Sequence, residues 1–106
     1  MRDLVVVLTT MPDDTRTDEV ARALVDEHLA ACVNVMPPMT STYRWKGRVE
    51  RDTERQIVIK TTRERLSALE QRVRQLHPYE LPEFLVLTVE SASADYAAWV
   101  SEQTRA

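Results

Sequence analysis

The chain has a single glycine, Gly47, among its 106 residues. Neither the P-loop nor the dinucleotide fingerprint can be written with one glycine, so both glycine-rich phosphate cradles are excluded. There is also a single cysteine, Cys32. No disulfide can close within the chain, and a reducing, cytoplasmic setting is the simpler expectation. No apolar run approaches the roughly 18 residues that span a bilayer, so no membrane partner is expected. Met1-Arg2-Asp3 leads straight into a Val-rich pattern, without the long apolar stretch and cleavage site of a signal peptide. Lys and Arg form no block and the net charge is -3, which argues against a nucleic-acid partner.

What is present belongs to a folded, soluble domain: 43% of residues are apolar and 29% charged. The length suits one domain over 1–106 and not two. Folding at this size buries only about two-thirds of the chain's surface, so the core is modest and partners help.

Leu4 to Leu8 is a continuous apolar run and predicts a strand buried on both faces. Thr15 with Asp18 approximates a capping box, and Ala21, Leu24, Val25 and Leu29 follow at helical spacing, predicting a helix to about Ala31. Cys32 to Met36 reads as a strand that Pro37-Pro38 interrupts and that resumes through Tyr43 and Trp45. Lys46-Gly47 predicts a hairpin turn, with glycine supplying positive φ. A second helix is expected from Thr61-Thr62, with Leu66, Leu69, Val73 and Leu76 as its apolar stripe and His77-Pro78 as its stop. A last strand spans Phe84 to Val89. Ala94 to Gln103 predicts a short helix with Tyr96, Trp99 and Val100 on one side.

The register across the hairpin is testable on paper. A two-residue turn at Lys46-Gly47 pairs Trp45 with Arg48 and, if unbroken, Asn34 with Ile59. An extra residue at Pro37-Pro38 would match apolar to apolar by placing Val35 opposite Ile59, so a bulge is predicted there. The resulting β-α-β-β-α-β order with a C-terminal helix predicts an α+β, ferredoxin-like sandwich. Its central hairpin is too long for the sheet, and the tip from Met39 to Glu54 carries Tyr43 and Trp45. A bare two-stranded ribbon is marginal alone and hazardous uncovered, so a second subunit is expected to cover it.

Several segments resemble the CutA divalent-cation-tolerance family. They are Thr10-x-Pro12-Asp13, Leu29-Ala30-Ala31-Cys32-Val33-Asn34, Ser41-x-Tyr43-x-Trp45-x-Gly47, Glu54 with Ile59-Lys60-Thr61, His77-Pro78-Tyr79-Glu80-x-Pro82-Glu83 and Tyr96-x-x-Trp99. They occur in family order from about residue 4 to 104. The resemblance implies a non-enzymatic homotrimer with hairpins that wrap neighbours, a fold shared with PII signalling proteins. It also implies tolerance to copper and other divalent ions, with metal held weakly if at all. Some members carry Cys where this chain has Thr9, and a second His where it has Leu76; here only His77 of that set remains.

The candidate metal ligands are therefore His77, Glu80 and Cys32. A thiolate suits Cu(I), and imidazole with carboxylate suits Cu(II). Cys32 also reads as a small buried hydrophobe, and His77 as a helix terminator bonding carbonyls. A ligand pocket between subunits would use Tyr43, Trp45, Glu54, Lys60, Tyr79 and Glu83. That alternative is a PII-like sensor of a small anion or metabolite, and a basic rather than carboxylate-rich pocket would favour it. A Cys32–His77 nucleophile–base pair needs the two within hydrogen-bond reach.

Overall fold

The computed structural model describes residues 3–105. Its elements are β1 (Leu4–Pro12), α1 (Thr15–Asp26), β2 (Cys32–Trp45), β3 (Arg48–Thr62), α2 (Leu66–Leu76), β4 (Leu85–Thr88) and α3 (Ala94–Gln103). The four strands form one antiparallel sheet in the order β2-β3-β1-β4. This is the expected ferredoxin-like α+β arrangement with an added C-terminal helix. Among the described residues no helix is long and apolar enough to cross a membrane.

Side chains alternate across a strand, and that alternation sets the core. Val7 and Met11 of β1 and Ile57 and Ile59 of β3 share one face. There they pack against Val20 and Leu24 of α1 and Leu69 and Val73 of α2. The other face has no helix layer over most of its area. Val6 and Leu8 therefore stay half-buried, and β1 is buried on one face rather than both. Only the Leu4 end is capped, by Ala97 and Val100 of α3 packed with Ala31. Tyr96 and Trp99, expected beside Val100, instead remain 39% and 43% exposed, because Ala97 takes the inward position.

The N-cap of α1 is Asp14, not Thr15: the Asp14 carboxylate accepts from the Arg16 N–H at 2.9 Å. The helix stops at Asp26, five residues before Ala31. His28 takes φ 60, and the Leu29 and Ala30 N–H groups fold back onto the Leu24 carbonyl. Thr61 and Thr62 belong to β3, and a 3-10 turn over Arg63–Arg65 leads into α2.

The hairpin decides where the functional residues point. At the turn, Lys46 (φ 52) and Gly47 (φ 79) both occupy the left-handed region, as a type I′ turn requires. Pairing runs regularly from Trp45↔Arg48 to Pro38↔Arg55 and then shifts, so that Val35 faces Ile57 and Val33 faces Ile59. The predicted bulge is present, but it moves the register the other way from the expected Val35–Ile59 pairing. The extra residue sits on β2, where Pro37 has no N–H to give. The Arg55 guanidinium secures it by donating to the Met36 carbonyl at 2.8 Å.

The shift has a consequence for side-chain direction. Before the bulge, odd-numbered residues of β2 such as Val33 and Val35 face the helices. After it, odd-numbered Met39, Ser41, Tyr43 and Trp45 share the opposite face with Asp52, Glu54 and Gln56. β1 stops pairing at Pro12↔Glu54, so the last six pairs, Thr40↔Thr53 to Trp45↔Arg48, extend as a free ribbon about 20 Å long.

Candidate functional site

The base of that ribbon and the loop after α2 flank a half-open cleft of about 1090 Å³. Its floor is the open sheet face at Thr10, Pro12, Glu54 and Gln56, and one wall carries Met39, Ser41, Tyr43 and Trp45. The opposite wall is the segment from Pro78 to Glu83. Four carboxylates line it, Asp52, Glu54, Glu80 and Glu83, against one cation, Arg44. The cleft is thus carboxylate-rich, with three aromatic rings.

The carboxylates differ in how they are held. Gln56 bridges β1 and the loop: its Nε2 donates to the Thr9 carbonyl at 2.7 Å and to Glu83 Oε2 at 3.1 Å. The Tyr43 hydroxyl donates to Asp52, a bond that pushes the phenol pKa up to about 12. Glu54 is the exception in burial, at 8% exposed. Its neighbour is Tyr79, whose ionisation is pushed up first by burial and then by its hydrogen bond and proximity to Glu54.

His77 stands behind the loop rather than in the cleft. It is 9% exposed and occupies the residue after α2. Its Nε2 lies 2.7 Å from the Thr10 carbonyl, and its Nδ1 accepts from the Tyr79 N–H at 3.1 Å. A carbonyl can only accept and an amide N–H can only donate, so the ring is neutral and carries its proton on Nε2. Burial is the largest influence on its pKa and lowers it; the bond to Thr10 and the Glu54 charge offset this only in part. Both nitrogens are used in tying the Tyr79 loop to β1, so His77 latches one wall of the cleft.

A family model for the CutA1 divalent ion tolerance protein matches residues 5–103. The chain belongs to this family. A divalent-cation tolerance protein CutA of Thermus thermophilus is 43% identical over 99 residues, which cover 93% of this chain and 96% of that protein. A CutA homolog of Xenopus laevis is 47% identical over 93 residues, or 88% of this chain, and the match spans 62% of that longer relative. Among solved structures, the divalent cation tolerance protein of Thermus thermophilus superposes with a TM-score of 0.93 at 42% identity, covering 96% of this chain and 99% of that one. CutA from Synechococcus elongatus gives 0.93 at 42% identity, covering 99% of this chain and 93% of that one.

Measured against the residues expected to act in this CutA1 fold, the cleft gathers Tyr43, Trp45, Glu54, Tyr79, Glu80 and Glu83. It does not gather Lys60 or Cys32. These two pair with each other on β2 and β3, and Lys60 also pairs with Val6, four residues along β1 from Thr10. The Cys32 thiol contacts Asn34 Oδ1 at 3.8 Å. Among the described residues no three His, Cys, Asp or Glu side chains converge as a metal site. His77, Glu80 and Cys32 therefore form no shared ligand set within one chain. Nor do Cys32 and His77 form a nucleophile–base pair, since both ring nitrogens of His77 bond backbone. Sequence reasoning missed Asp52 and Gln56. Asp52 was legible as the partner of Ser41 in the hairpin register; Gln56 acts through contacts 47 and 27 residues distant, which no local pattern marks.

Thr9 is 2% exposed, and its hydroxyl is the one buried side-chain polar atom without a hydrogen-bond partner among the described residues. Leaving such a group unpaired costs about 1–3 kcal/mol. Thr9→Val keeps the shape and removes the hydroxyl, so it is expected to raise unfolding stability by about 1 kcal/mol in urea titration. A loss of stability would mean that the hydroxyl has a partner.

Proposed function

We propose that the chain is a non-enzymatic, cytoplasmic homotrimer that binds cations in the carboxylate cleft. The observation that carries the reading is Glu54, a carboxylate more than nine-tenths buried, lining the cleft with no cationic partner among the described residues. A buried charge is costly without an opposite charge, and a bound cation supplies one. The carboxylate excess over Arg44 also disfavours the alternative of a small anion.

Assembly is supported by the same sheet face. β4 is an edge strand exposed along its whole length, with Leu85 52%, Val86 40% and Leu87 47% exposed. Leu85 and Leu87 continue the half-buried row of Val6 and Leu8. A bare apolar edge beside an open apolar face calls for a covering partner. The threefold state is what the family resemblance implies, and the cleft opens on this face, next to where subunits would meet.

Carboxylate and phenol oxygens suit harder divalent ions, and a metal would need further ligands from a neighbouring subunit. Copper through His77 is the weaker form of the reading, because it would break one of that ring's two backbone bonds. Calorimetry with Mn(II) and Cu(II) tests the proposal. Saturable binding that Glu54→Gln weakens and Cys32→Ser leaves alone is the expected outcome. Undiminished affinity in Glu54→Gln would move the site elsewhere.

A further inference from the structure

We infer that the cation this cleft takes is a small organic ammonium ion, of the polyamine type, rather than a bare metal ion. The inference rests on the cation-binding reading above and names the ligand class. Three observations carry it.

The first is size. The cleft is half open and follows the ribbon from Met39 to Trp45, about 20 Å of strand, well beyond the reach of a metal ion with its water shell. The second is donor placement. Among the described residues no three candidate ligands converge on one point. The carboxylates are instead spread along the cleft, from Asp52 on the ribbon through Glu54 on the floor to Glu83 on the loop. Spaced single charges match a ligand with several separated positive nitrogens better than one point charge.

The third is the walls. Tyr43, Trp45 and Tyr79 line the same cleft as the carboxylates. Ring faces attract ammonium groups and cover the methylene segments between them. Trp45 already has an ammonium over its ring, since the Lys46 Nζ lies 5.7 Å from the centroid. The site is also pre-organised: Tyr43 holds Asp52 and Gln56 holds Glu83 before any ligand arrives. Glu54 is left as the central acceptor. Its carboxylate has room for about four hydrogen bonds, and it faces the Tyr79 phenol.

Spermidine is the probe, with the full-length assembled protein in about 0.15 M salt to screen loose surface attraction. Trp99→Phe removes the exposed tryptophan outside the cleft, so fluorescence then reports Trp45 alone. The expected result is a saturable change at one spermidine per chain, confirmed by calorimetry. Glu54→Gln should weaken it at least about tenfold, the loss that follows removal of a charge-assisted bond. Asp52→Asn, at an exposed ribbon position that cannot disturb the core, should weaken it several-fold and decides the matter if Glu54→Gln fails to fold. Mn(II), which shares Glu54 but gains nothing from the aromatic walls, should displace spermidine only in large excess.

The absence of a saturable spermidine signal would overturn the inference. So would unchanged affinity in both variants, or a trimer crystal structure with a neighbouring subunit's side chains filling the cleft. The two readings fail separately. Mn(II) binding without spermidine binding removes the organic ligand and keeps the cation site; binding of neither removes both.

Discussion

Leu87→Asp is expected to leave single chains in solution at micromolar concentration, and the unmodified protein is expected to sediment at about three chain masses. In one chain Leu87 is 47% exposed, opposite Val6 and two residues from Leu85, itself 52% exposed. A carboxylate there remains largely hydrated, so the fold of the single chain should lose little. In a trimer closed over this face, each subunit would bury the new charge among Val6, Leu8 and Leu85. Desolvating an unpaired carboxylate costs about 2 kcal/mol or more, and the penalty falls once on every subunit. Sedimentation velocity separates the cases. If Leu87→Asp stays trimeric, the β4 face is not the interface; if the unmodified chain is itself monomeric, the trimer proposal is lost. Circular dichroism on the variant would show whether the dissociated chain keeps its helices and sheet.

The parts of the fold that were legible in the sequence are those set by neighbours along the chain. The stripe Leu66, Leu69, Val73 and Leu76 fixed a helix because side chains three and four apart share a face, and Leu69 and Val73 are indeed buried. Gly47 marked its turn because few other residues accept its φ of 79. What was not legible depends on distant contacts. Apolar matching located the bulge at Pro37-Pro38 but could not say which strand held the extra residue. That answer lies in the Arg55 bond to the Met36 carbonyl, 19 residues away. The same limit hid the side-chain direction of Tyr43 and Trp45, which the bulge sets. His28 ends α1 early through a left-handed conformation more typical of Gly or Asn.

The site follows the same division. The aromatic and acidic character of the hairpin and of the loop from Pro78 to Glu83 was readable as composition. The burial of Glu54 was not, since it depends on the loop closing over Pro12 and the ribbon. Cys32 and Lys60 looked like site residues because they are distinctive, yet four residues of strand separate their row from that of Thr10 and Gln56. From its place before Pro78, His77 reads as a helix terminator or a ligand. Its partner is a carbonyl of β1, 67 residues back, and that contact turns it into a latch.

His77→Ala should lower stability by roughly 2–4 kcal/mol near neutral pH, because it leaves the Thr10 carbonyl and the Tyr79 N–H without their buried partner. The difference between the two proteins should shrink on acidification. In the folded chain the His77 pKa lies below its ordinary value of 6.5, chiefly through burial. The unfolded chain, with its ordinary pKa, binds the proton first as pH falls. Stability tied to this residue is therefore full above about 6.5 and is lost as pH drops through and below that value toward the folded pKa. Protonation also turns Nδ1 into a donor facing the Tyr79 N–H, which sets the loop against the ring that holds it. Carboxylates titrate in the same acid range, so the comparison is made between variant and parent rather than on the parent alone. Urea titrations of both at about pH 7.5 and 5.5 provide it. A gap that is equal at the two pH values would mean that His77 titrates alike folded and unfolded, and the latch would then owe nothing to its neutral form.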